Sequence, residues 1–183
     1  GNGTDIVTGG IGADTINLTE TVQAADQVRF SPGDGSVSFP TGTWTVFDTV
    51  TAFNADFDTV RVTGAGTAVV LNGVAAPQTA GVTFTNVASG AFDFNGAVGG
   101  AFMTGTTTTD LTNGFDVSVL GLGAVANETV GEQAYFAVVV GGQVGIYHFI
   151  VDTVDGFAGQ TELELVGVVN FTGTLSAADL VFF

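Results

Sequence analysis

The chain has 183 residues, of which 45% are hydrophobic, enough to bury a substantial core. Eighteen Asp and Glu face only two basic residues, Arg29 and Arg61, for a net charge of −16. That balance excludes nucleic-acid binding, which needs clustered basic residues to displace counterions from phosphate, and excludes attraction to an anionic membrane surface. With no Cys, no Lys and one His (His148), thiol catalysis, Schiff-base chemistry, thiolate zinc sites and His-cluster metal sites are also excluded. A mean hydropathy of +0.48 and sixteen Phe rule out a disordered acidic tail. No apolar run approaches the roughly 20 residues of a membrane span.

The first predicted element is a repeat. Residues 9–17 read Gly-Gly-Ile-Gly-Ala-Asp-Thr-Ile-Asn, matching G-G-x-G-x-D-x-U-x at every fixed position, with U a large apolar residue. Nine residues earlier, Gly1-Asn2-Gly3-Thr4-Asp5-Ile6-Val7-Thr8 matches the same pattern without its first Gly, as expected of a cut into a longer protein. The glycines permit φ > 0 in a tight turn with inward-pointing carbonyls, and the Asp adds a carboxylate to them. Val7 and Ile16 then start short strands. Oxygen-only ligands suit Ca²⁺.

These residues resemble the RTX (hemolysin-type) calcium-binding repeats. The resemblance implies a parallel β-roll with two nonapeptides per turn and ions between repeats on the same side. Gly1, Gly3, Asp5, Gly9, Gly10, Gly12 and Asp14 would be its metal-site residues. Asp5 and Asp14 would lie on opposite sides, share no ion, and each need a partner loop. The segment Asp48-Thr49-Val50-Thr51-Ala52-Phe53-Asn54-Ala55-Asp56-Phe57-Asp58-Thr59-Val60 resembles the stretch that follows RTX repeats, with Ala52 where an acid is usual, and Asp26 to Phe30 fits the strand before it. Asp48, Asp56 and Asp58 form a further candidate calcium site, since Asp56 and Asp58 would share a face if they lie on a strand. The other reading of these three is solvated turn carboxylates.

Beyond the repeat, β-branched runs between Gly, Asn and Asp turns predict strands at Trp44 to Phe47, Thr59 to Val62, Val82 to Phe84, Val117 to Leu120, Tyr135 to Val140, Gly145 to Val151 and Glu162 to Val169. Turns are expected at Asn72-Gly73, Asn95-Gly96 and Asn113-Gly114, a loop or exposed strand at Thr106 to Thr109, and a hairpin at Gly141-Gly142. Ser176-Ala177-Ala178-Asp179 predicts a short helical turn capped by Ser176, and Thr19 to Ala25 is a weaker helical candidate. The fold class is all-β: the end of a calcium-binding parallel β-roll (residues 1–19), then a β-sandwich-like domain (20–183).

Residues 135–183 resemble the ends of proteins exported by type I secretion, including RTX and some S-layer proteins. The closing Asp179-Leu180-Val181-Phe182-Phe183 resembles the terminal secretion motif; it also reads as a final edge strand packing Leu180 and Phe182. Catalytic candidates are thin. His148 sits in an apolar strand, Glu162 and Glu164 are too alike for an acid/base pair, and no G-x-S-x-G elbow is present. The expectation is a non-enzymatic, calcium-binding segment of a secreted bacterial cell-surface protein. Its partners would be other copies of itself, the type I secretion machinery and a surface glycan. A glycan would need an exposed platform of Trp44 with Tyr135 or Tyr147. The alternative is the secretion and folding module of an RTX adhesin, or of an exported enzyme with its active domain upstream.

Overall fold

The computed structural model describes residues 1–37, 42–63, 69–71, 74–76, 84–88, 92–93, 100–104, 109–113, 125–156 and 161–182. It is all-β. Four strands, β1 (Ile6–Thr8), β3 (Gln27–Phe30), β6 (Thr59–Val62) and β16 (Leu180–Phe182), form a first sheet in the order β1-β3-β6-β16. Every pairing in it is parallel. The second sheet begins with β2 (Thr15–Asn17), β5 (Asp48–Asn54) and β15 (Leu163–Thr172), again parallel to one another. It continues through β14 (Gln143–Ile150), β13 (Gln133–Val140), β11 (Gly100–Thr104) and β9 (Thr85–Ala88), while β4 (Ser36–Val37) lies beside β15. Two small pairs complete the described strands: β7 (Val69–Leu71) with β8 (Val74–Ala76), and β10 (Phe92–Asp93) with β12 (Val125–Ala126).

The chain therefore alternates between sheets: β1, β2, β3, β5, β6 and, after a long excursion, β15 and β16. Each crossing places one residue set inward. Val28, Phe30, Val60, Val62, Leu180 and Phe182 from the first sheet meet Ile16, Val50, Phe53, Val166 and Val169 from the second. The period-2 alternation of buried and half-buried residues in β3 and β6 follows from having one covered face. Gly167 fixes the distance between sheets. A Cβ there would lie 2.3 Å from the Phe30 ring, so the ring fills the space a side chain would take. Fully burying such a ring contributes roughly 1.5–3 kcal/mol.

The second sheet is covered on both faces. On its other side Trp44, Leu111, Phe136, Tyr147, Phe149 and Leu163 form a separate cluster. Two-sided burial explains why β13, β14 and β15 read as nearly continuous apolar runs.

The hairpin at Gly141-Gly142 joins β13 to β14, with Gly141 at φ +59°. The helical turn at Ala177–Asp179 is a 3-10 turn; Ser176 caps it, its hydroxyl accepting the Ala178 N–H while Asp179 accepts the Ser176 N–H. Two expectations are corrected. Trp44 to Phe47 is not a strand: the Trp44 N–H donates to the Thr112 carbonyl and its ring packs on Tyr147, so tertiary burial overrides the β-branched pattern. Thr19 to Ala25 is a loop, held by Asn2 and Glu20 rather than by helical bonds. Val82-Thr83, Val117 to Leu120, Asn72-Gly73, Asn95-Gly96, Gly114 and Thr106 to Thr108 lie outside the described residues.

Candidate metal centre

Alternation between parallel sheets brings the turns into two stacks. Turns entering the first sheet end on Asp5, Asp26 and Asp58, each immediately before its strand. Turns entering the second sheet end on Asp14 and Asp48, before β2 and at the first residue of β5. Asp5 and Asp14 thus belong to different stacks.

The first stack is linked carboxylate to backbone. Asp26 Oδ1 accepts the Asp5 N–H at 2.9 Å, and Asp58 Oδ1 accepts the Asp26 N–H at 3.0 Å. Asp58 Oδ2 accepts the Asn54 N–H at 2.8 Å. With almost no cations in the chain, buried carboxylates are satisfied by N–H donors instead. Burial pushes the Asp58 carboxyl above its usual range, against the lowering effect of those two bonds.

At the outer end of this stack, carboxylate oxygens of Asp5, Glu20 and Asp26 all lie within 4.8 Å of one another. Asn2 Oδ1 accepts the Thr21 N–H and hydroxyl, each at 3.0 Å, and ties the first turn to the second. Gly3, at φ +102°, turns the backbone there. Glu20 Oε2 accepts the Ala24 N–H at 2.7 Å, while Oε1 is enclosed and makes no hydrogen bond. The amine of Gly1 lies 3.4 Å from Asp5. The donor set is hard oxygen throughout. Oxygens up to about 4.8 Å apart fit around an ion held at about 2.4 Å from each, which matches Ca²⁺.

The second stack repeats the device. Asp48 Oδ1 accepts the Asp14 N–H at 3.0 Å; Oδ2 is buried without a partner. Gly9 is required here, since a Cβ would stand 2.2 Å from that oxygen. Gly10 (φ +88°) and Gly12 (φ +124°) turn the chain, and the Gly12 N–H donates to the Asp34 carbonyl at 3.2 Å. Burial, with Asp14 and Asp34 adding repulsion, raises the Asp48 carboxyl to about 6. Burial raises Asp34 too, with Glu164 and Asp14 contributing. Glu164 Oε1 accepts the Gly33 and Gly35 N–H groups at 2.7 and 3.1 Å.

The grouping of Asp48, Asp56 and Asp58 is corrected. Asp48 opens β5, whereas Asp56 and Asp58 lie beyond its end, about 20 Å away along a seven-residue strand. Nor do those two share a strand face. They sit in the turn from Asn54, with Asp58 buried and Asp56 exposed beside Gly173. The expected set missed Glu20, Asp26 and Asp34. For Asp26 a signal existed, because Asp-x-Val precedes β3 as it precedes β6.

The remaining candidates lie away from these turns. His148 is buried, its ring nitrogens 3.3 Å from Glu164 and 3.1 Å from Gln133. Glu162 caps a different loop from Glu164, accepting the Asp152 and Thr153 N–H groups. Trp44, Tyr135 and Tyr147 are all buried, so the aromatic platform a glycan would need is inside the core. No described helix is long and apolar enough to cross a membrane.

Fold and site together define an all-β protein whose sheets are wound by alternation, with stacked aspartates and a convergent acidic triad. No protein-family model, no curated protein and no solved structure matches the chain.

Proposed function

We propose that this is a non-enzymatic, calcium-binding segment of a secreted bacterial cell-surface protein, with its alternating strands forming the end of a calcium β-roll. One observation carries the reading: Asp5, Glu20 and Asp26 converge from two successive turns, with an enclosed Glu20 oxygen lacking any hydrogen bond. Three carboxylates held together repel one another, and a divalent cation removes that cost. Asp48, Asp14 and Asp34 repeat the arrangement more loosely on the opposite stack.

The charge gives the binding a purpose. In a calcium-poor cytosol, self-repulsion keeps the chain loose enough for type I export, with Asp179 to Phe183 as the recognition segment. Outside, millimolar Ca²⁺ neutralises the turns and drives folding by linkage, closing the first sheet with β16. The folded segment then supports assembly into a surface layer or filament.

Calorimetric titration with CaCl₂ and MgCl₂ tests this reading. Saturable Ca²⁺ binding in the roughly 10⁻⁴–10⁻³ M range of extracellular modules is expected, weakened by Glu20→Gln and by Asp26→Asn. Absence of Ca²⁺ binding at several millimolar, or binding indifferent to both substitutions, would overturn it.

A further inference from the structure

A cavity of about 220 Å³ opens on the face of the second sheet that carries the Trp44 and Phe136 cluster. Its floor spans four adjacent strands beside the Gly141-Gly142 hairpin. Thr49 of β5 opposes Val168 of β15, Asn170 of β15 opposes Gln143 of β14, and Gln143 opposes Val140 of β13. Phe47 and residues 109–112 stand around this floor. The loop is tied down from behind. The Trp44 N–H donates to the Thr112 carbonyl at 2.8 Å, and the Tyr147 hydroxyl donates to the Leu111 carbonyl. Gly145 leaves the room that Tyr147 needs, since a Cβ there would lie 2.6 Å from the Tyr147 hydroxyl oxygen. Asp110 accepts the Thr112 N–H and hydroxyl at 2.9 and 2.8 Å. Little of this loop is left to order on binding.

The floor amides are oriented as well. Asn170 Nδ2 donates to the Val50 carbonyl at 2.9 Å, and Gln143 Nε2 donates to Asn170 Oδ1 at 2.7 Å. A backbone carbonyl can only accept, so this relay fixes both amides. It leaves the Gln143 carbonyl oxygen as an acceptor and one N–H of each amide as a donor. The Thr49 hydroxyl can do either. Between these groups Val140, Val168, Leu111 and Phe47 present carbon. The lining holds no cation, so in a chain of net charge −16 it repels anions. Its one acid, Asp110, is exposed and already accepts two bonds, so a cation gains little there. The chemistry fits a neutral molecule with a carbon–hydrogen face and a rim of hydroxyls. Ligand sites for drug-sized molecules run to roughly 300–1,000 Å³, so this smaller cavity suits a single ring.

We propose that this cavity binds one neutral sugar unit at the end of a glycan chain. The carbon–hydrogen face of the ring rests on Val140 and Val168 beside Phe47, and its hydroxyls pair with Gln143, Asn170 and Thr49. The cavity stands in place of the open aromatic platform that Trp44 and Tyr147 do not form; those two residues instead hold the loop against it. Gln143 and Asp110 are exposed at its border, so the rest of a glycan runs out into solvent. The proposal rests on the cell-surface part of the proposed function for the source of the glycan, and not on the ion site.

NMR titration of the 183-residue chain tests it, with glucose, galactose, mannose, rhamnose and N-acetylglucosamine as free sugars and as methyl glycosides. At least one methyl glycoside should bind saturably, with a dissociation constant in the roughly millimolar range, and shift the Gln143 and Asn170 side-chain amide signals. Gln143→Ala and Thr49→Val should each weaken that binding about three- to tenfold without a change in thermal midpoint. Methylammonium and inorganic phosphate should leave the same signals unmoved. No saturable sugar binding at tens of millimolar, binding of free sugars alone, binding indifferent to both substitutions, or a stronger response to methylammonium or phosphate would overturn the proposal. Thermal midpoints with and without Ca²⁺ on the same samples separate the two proposals. A calcium-raised midpoint without sugar binding defeats the cavity alone, whereas Gln143-dependent sugar binding without a calcium response defeats the ion site alone.

Discussion

The carboxylate of Asp26 accepts the backbone N–H of Asp5 at 2.9 Å, across 21 residues of sequence. The same carboxylate belongs to the acidic triad, so Asp26 has two roles that substitution can separate. Asp26→Ala removes both and should cost about 1–3 kcal/mol even without calcium, because the Asp5 N–H loses its acceptor. For a chain of this length each kcal/mol is about 2–4 °C in midpoint. Asp26→Asn keeps an acceptor oxygen, so it should lie near wild type in EDTA and lose most of the calcium-induced shift. Thermal unfolding of both variants, with and without Ca²⁺, checks this.

The raised carboxyls make the calcium-free protein unusual in its response to pH. Asp48 is pushed up to about 6, and Asp34 and Asp58 are raised as well. A folded pKa above the unfolded value means that the folded state holds protons the unfolded chain has released. The resulting stability is fully present below about pH 4 and is lost as pH rises through about 6. In EDTA the midpoint should therefore be higher at pH 5 than at pH 7.5. Ca²⁺ should reverse that order, because its ligands must be deprotonated. Asp48→Asn should flatten the EDTA profile and raise its pH 7.5 end.

Gly9 tests how closely the second stack is built. Gly9→Ala places a methyl 2.2 Å from the Asp48 carboxylate and should destabilise by about 1–3 kcal/mol. Gly42→Ala, whose Cβ meets nothing within 4 Å, is the control and should be near neutral. Equal midpoints for the two variants would show that the turn yields freely.

Legibility in the sequence followed local chemistry. The nonapeptide repeat placed the positive-φ glycines at 3, 10 and 12 and the strands that start after Asp5 and Asp14, because those turns are dictated by adjacent residues. β6, the hairpin at Gly141-Gly142 and the cap at Ser176 were legible for the same reason. Glu20 and Asp34 were not, because they reach their sites through loops of no fixed spacing. Trp44 to Phe47 has strand-like residues but is fixed by a ring buried on Tyr147, a contact that no local pattern encodes. Asp56 and Asp58 looked like one face only while their segment was taken as extended.

The central claim is that calcium holds the stacked turns. Its most direct test is thermal unfolding of the 183-residue chain at pH 7.5 in EDTA, in millimolar Mg²⁺ and in millimolar Ca²⁺. Ca²⁺ should raise the midpoint by several degrees over both other conditions, rising further with concentration as linkage requires. A midpoint unmoved by Ca²⁺, or moved equally by Mg²⁺, would contradict the account.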